Sequence, residues 1–166
     1  MSGDAKRGFW EFSLAHYGKP GLSPAVIGLQ DRLGADVNLL LYGCWAAAEG
    51  RALGDADIAR AEATIQLWRE QVVEPLRAVR NRLKQGVAPV PTDAGMALRK
   101  RVLEAEIAGE ELAQNALAAL LPEAKAAGNA AAAARHHIDR YLARLAKPPG
   151  TEDQAAVETL IRACFG

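Results

Sequence analysis

Between Val37 and Ala48 the sequence Val-Asn-Leu-Leu-Leu-Tyr-Gly-Cys-Trp-Ala-Ala-Ala carries no charge. Val37, Leu40, Leu41, Cys44, Trp45 and Ala48 fall at i, i+3, i+4, i+7, i+8 and i+11, one face of an α-helix. Leu39 and Ala46 point the other way and are also apolar. A helix apolar all round belongs inside a bundle or a membrane. Twelve residues span about 18 Å, short of a bilayer core of about 30 Å. The stretch therefore predicts a buried central helix, and the chain an all-α bundle.

The segments around it read as helices too. A first one is expected from about Asp4 to Tyr17, where Phe9, Trp10, Phe12 and Leu14 are concentrated; aromatics bury large areas and should anchor the core. Gly18, Pro20 and Gly21 form a turn. Ser23 is a candidate N-cap with Pro24 behind it, and Gly34 ends that helix. Asp36 caps the central helix and Gly50 stops it. From Asp55, Ile58, Ala61, Ile65, Trp68, Val72, Leu76, Val79 and Leu83 recur at spacings of three and four. A straight helix of that length would measure about 46 Å, against about 35–40 Å for a compact domain of this size. Pro75 removes a backbone donor and predicts a kink. The connector 86–91 leads to Thr92, a candidate cap, and to a second long helix with the stripe Leu98, Val102, Ala105, Leu112, Ala116 and Leu120. A short connector joins antiparallel neighbours, so the two make an αα-hairpin. The alanine run after Asn129 is helical by propensity. Thr151 and Gln154 match a capping box for the last helix. The expectation is one helical domain over 1–166 with six or seven helices: anchor helices in 1–50, a hairpin in 55–121 and C-terminal helices in 129–165.

With 166 residues, half of them apolar, the chain can build a real core, and its net charge of zero gives no global field toward nucleic acid or membrane. Cys44 and Cys164 read as reduced thiols, since a disulfide framework or a zinc site needs more ligands at closer spacing. No signal peptide follows Lys6 and Arg7, and a cytoplasmic protein is expected.

The runs Phe9-Trp10-Glu11-Phe12-Ser13-Leu14, Tyr17-Gly18-Lys19-Pro20-Gly21 and Leu29-Gln30-Asp31 with Gly34 and Asp36-Val37-Asn38-Leu39-Leu40-Leu41 resemble a proteobacterial family catalogued as a domain of unknown function. Trp68-Arg69, Val72-Val73 and Pro75-Leu76-Arg77 look like its second signature. The resemblance covers most of the first hundred residues. It implies a small helical bacterial protein and carries over no catalytic residues.

Two constellations invite a function. Gln30, Asp31, Asn38 and Tyr42, with His16, are candidates for a small ligand pocket beside the central helix: carboxylate for acid–base work or a cation, amides to orient a ligand. Arg77, Arg80, Arg82, Lys84, Arg99, Lys100 and Arg101 crowd the hairpin turn against Asp93 alone, a candidate surface for a polyanion or another partner. Helix-dipole complementarity accounts for the cations that end the first hairpin helix. It fails for Arg99, Lys100 and Arg101, which open the second. His136 and His137 are adjacent, unlike the i, i+3 or i, i+4 pairs that bind metal. Gly95 and Gly109 read as points of close packing. No Ser-His-Asp set, P-loop or dinucleotide fingerprint occurs, so no catalytic residue, metal or cofactor is assigned. The leading expectation is a non-enzymatic interaction or adaptor protein with a protein partner, self-association included, and no membrane. The alternatives are a nucleic-acid or ribonucleoprotein binder working through the basic turn, and a small-ligand protein or enzyme using the polar cluster.

Overall fold

The computed structural model describes residues 8–166; Asp4, Lys6 and Arg7, in the expected first turns, lie outside the described residues. Eight α-helical segments follow in order: α1 (Phe9–Tyr17), α2 (Leu22–Leu33), α3 (Val37–Ala48), α4 (Asp55–Trp68), α5 (Glu74–Lys84), α6 (Thr92–Ala118), α7 (Ala130–Leu142) and α8 (Thr151–Phe165). A π turn, Arg69–Val73, joins α4 to α5. With α4, the π turn and α5 taken as one continuous helix, the described residues form seven helices and no strand. The protein is all-α, and none of its described helices is long and apolar enough to cross a membrane.

Helix α3 is central, as its composition demands. Every residue from Asn38 to Ala47 is buried, Leu39 and Ala46 on the far side included. The Asp36 carboxylate caps it through the amides of Asn38 (2.7 Å) and Leu39 (3.3 Å). Gly34 ends α2 in the left-handed region at φ 72°. α7 lies along α3, close enough that a Cβ on Gly43 would sit 3.3 Å from the Cβ of His137. α8 packs on α2 and is tied to it by Arg32, whose Nε donates to Asp153 Oδ1 at 2.6 Å. Of the N-terminal aromatics, Phe9 and Phe12 enter the core, Trp10 is half-buried and Tyr17 stays exposed, as does Leu14. Phe9 stacks on Trp45 at 5.2 Å between ring centroids.

Several caps differ from expectation. α2 starts at Leu22 after Gly21, before Ser23 can cap it. Pro91, not Thr92, stands at the N-cap of α6. α8 is closed by Asp153, which accepts the Gly150 amide at 2.8 Å in place of the Thr151–Gln154 box. Pro75 is accommodated by the π turn: the Glu74 amide reaches back five residues to Arg69 O, so the helix widens just ahead of the proline. Gly95 has no heavy atom within 4 Å of where a Cβ would sit, so it is not a close-packing point.

His137 is a core residue with both ring nitrogens engaged. Nε2 accepts the Leu53 amide at 3.0 Å, so Nδ1 carries the proton and donates to Gly43 O at 2.9 Å. Burial lowers its pKa from the ordinary 6.5, against the opposing pull of the Gly43 bond. The folded ring stays neutral while the unfolded ring takes up a proton near 6.5. This contribution is therefore present above 6.5 and lost as pH falls toward the lower folded value. The thermal midpoint should drop between about pH 7 and 5, and His137→Gln should flatten that slope. Parallel slopes for the two proteins would refute the assignment.

Candidate functional site

One chain of hydrogen bonds crosses the molecule from α1 to α5. Ser13 Oγ donates to Gln114 Oε1 (2.8 Å), Gln114 Nε2 donates to Asn38 Oδ1 (2.9 Å), and Asn38 Nδ2 donates to Glu110. Glu110 Oε1 accepts from Arg77 Nη2 (2.9 Å), and Arg77 Nε turns to Glu106 Oε1 (3.1 Å). Arg80 closes the chain with a second bond pair onto Glu106. Gln114, Asn38 and Glu106 are buried, so each needs these partners. Burial would raise the Glu106 carboxyl, but the hydrogen bonds from Arg80 and Arg77 outweigh it and hold the group below its ordinary value. At Glu110 burial wins over Asn38 and Arg77, and the carboxyl is raised.

Beside this chain the π turn opens a cleft of about 170 Å³ lined by Gln30, Asp36, Asn38, Trp68, Arg69 and Arg77 among others. Asp36 joins three elements there: it caps α3, receives Arg69 Nη1 at 3.3 Å, and gives its own amide to the Tyr141 hydroxyl at 2.8 Å. Trp68 Nε1 donates to Gly109 O at 2.9 Å, which pins α4 to α6. Of the five expected pocket residues, only Gln30 and Asn38 meet in the cleft. Asp31 is exposed. Tyr42 is packed between Phe9 (5.7 Å) and Trp45 (6.1 Å), with burial pushing its hydroxyl up to about 12. His16 bonds to Phe12 O at 2.7 Å on α1. The Asn38 amide is spent on structure at both ends. Among the described residues no three His, Cys, Asp or Glu side chains converge to hold a metal ion.

Beyond the cleft the hairpin leaves the bundle. α5 buries no residue and packs on α6 and the π turn. No residue between Ile65 and Ala113 belongs to the main core cluster. The stripes expected to face the core therefore part company: Ile58, Ala61 and Ile65 are buried, but Trp68, Val72, Leu76, Val79 and Leu83 are half-buried or exposed. On α6, Leu98 is 51% exposed and Leu112 56%, with Ala105 and Ala116 exposed between and beyond them. The basic cluster divides as well. Arg77 and Arg80 turn inward onto Glu106 and Glu110 and are not part of a free surface. Arg82, Lys84, Lys100 and Arg101 are exposed and Arg99 half-buried; among the described residues none of the five has an ion pair.

A family model described as Protein of unknown function (DUF2390) matches residues 8–117. The chain belongs to that family. No curated protein and no solved structure matches it. The DUF2390 region contains the whole Ser13-to-Arg80 chain, the cleft except Tyr141 behind Asp36, and the entire projecting hairpin. α7 and α8, which complete the core, follow it. Sequence reasoning did not single out Ser13, Glu106 or Gln114. Glu106, Glu110 and Gln114 share a helical face at spacings of four, the one pattern that could have pointed to them.

Proposed function

We propose that this DUF2390 protein is a non-enzymatic interaction protein that holds its α5–α6 arm out to a protein partner. The observation that carries the reading is the exposure of one edge of the arm's apolar heptads, Val79, Leu98, Ala105, Leu112 and Ala116, where their other members are half-buried or, at Gly109, buried. Leu98, Val102, Ala105, Gly109, Leu112 and Ala116 alternate at spacings of four and three, as do Val72, Leu76, Val79 and Leu83. That is the a/d pattern of a coiled-coil seam, which normally meets another helix. Here Val79 is 48% exposed, and Leu98 and Leu112 more than half. Contiguous exposed apolar surface on a folded chain marks an interaction site. The polar chain below supports the same reading, because Glu106 and Glu110 clamp Arg77 and Arg80 and hold α5 rigidly against α6.

Site-specific photo-crosslinking in cells of the source organism tests it. A photoreactive residue at Leu98 or Leu112 should give a protein adduct. The same residue at Leu14, exposed but off the arm, should not. Equal labelling at all three sites would defeat the reading. An adduct with nucleic acid would instead favour a polyanion held by the five unpaired cations.

A further inference from the structure

We infer that the partner of the arm is the arm of a second copy, laid antiparallel to the first; the inference rests on the interaction reading above. The two heptad seams share one side of the arm. At about 100° per residue, Val79 and Leu83 lie on one flank of the line along which α5 meets α6 through Arg77 and Arg80. Leu98, Ala105 and Leu112 lie on the corresponding flank of α6. Because the helices run antiparallel, those flanks face the same way, and the Trp68 bond to Gly109 O marks that side. The arm thus offers two adjacent seams, half of a four-helix bundle. A second copy supplies the other half through an isologous interface.

Charge chooses the partner and its direction. The tip carries Arg82, Lys84, Arg99, Lys100 and Arg101 against Asp93. From the tip toward the base come Glu104, Glu111 and Glu70, while Glu74 is paired with Arg69. The ion pairs of Arg77 and Arg80 with Glu106 and Glu110 cancel internally. Each arm is therefore positive at the tip and negative at the base. Antiparallel pairing sets each tip on the other base. Parallel pairing sets like on like and is disfavoured.

Sedimentation velocity on the full purified chain decides the question. Wild type should be a dimer at low salt and dissociate more readily as salt rises, since opposite charges then attract less. Arg99→Glu with Arg101→Glu, and separately Glu104→Lys with Glu111→Lys, should each weaken the dimer by about tenfold or more. An equimolar mixture of the two variants should recover a heterodimer, because both ends are again complementary. Arg101 and Glu104 are exposed and Arg99 and Glu111 half-buried, all on an arm outside the core, and a thermal melt of each variant checks the fold. A wild-type monomer at low salt overturns the second-copy assignment. So does a dimer that tightens with salt or is unmoved by both charge reversals, which would place the contact elsewhere or reverse the pairing. If the chain is monomeric while Leu98 crosslinks to a different protein, only the second-copy inference falls. If it is monomeric and no adduct forms, the interaction reading falls with it.

Discussion

A chain cut after Gly128 should fail to fold, although it keeps the entire segment that defines its family. The cut removes α7 and α8, and with them Ile138, Leu142, Val157, Leu160 and Ile161 from the core. Burying each such side chain is worth about 1.5–3 kcal/mol, so the five together match the whole stability of a typical domain, about 5–15 kcal/mol. The loss is also polar. Tyr141 no longer meets the Asp36 amide, and His137 no longer bridges Gly43 O and the Leu53 amide. On α3, Gly43 would lose its packing against His137 and Ile138, and Cys44 its contact with Cys164. Circular dichroism should show no cooperative melt for the truncated chain, with helix content well below that of the intact one. A sharp transition near the full-length midpoint would mean that α1–α6 is autonomous and that α3 is not central in the sense argued above.

Trp45→Ala should cost about 3–5 kcal/mol, and Leu39→Ala about 2–5 kcal/mol. Trp45 is 6% exposed and stacked on Phe9, and its loss opens a cavity at the junction of α1 and α3. Leu39 is the sharper test. It points away from the Leu40–Trp45 face, yet it is only 7% exposed. A one-sided amphipathic helix would lose little there. Urea midpoints of both variants settle the matter, and an unchanged midpoint for Leu39→Ala would reduce α3 to an ordinary surface helix.

The central helix was legible because nothing in it tolerates water, whichever way it turns. The hairpin was legible as two periodic stripes joined by a short connector. What periodicity does not encode is what covers a stripe. Leu98 and Ile65 lie on equally regular patterns, and one faces solvent while the other is in the core. Pro75 signalled a disturbance, but its form depended on the helix finding a five-residue bond from Glu74 to Arg69 O. The polar chain was the least legible part. Ser13 and Gln114 are 101 residues apart, and no pattern within either helix names the other as its partner. Asn38 stood out only as an amide in an apolar run, with its partners on α6 hidden. The sequence divides the basic turn by helix dipole alone and does not show that Glu106 and Glu110, on α6, meet Arg77 and Arg80 on α5. Folding back brings them opposite Arg77 and Arg80 and leaves five.

The arm's independence from the core also bears on how such a chain can change over generations. A seven-residue insertion in α5 beyond Arg80, matched by another in α6 before Glu106, would lengthen the arm by about 10 Å. It would keep the seams in phase and leave the clamp at the base untouched. Most insertions of that size inside a helix of a small protein break its packing; here none of the core residues would move. Length at this one place is therefore a cheap evolutionary variable, and relatives are expected to differ in arm length by whole heptads while α1–α4 hold their spacing.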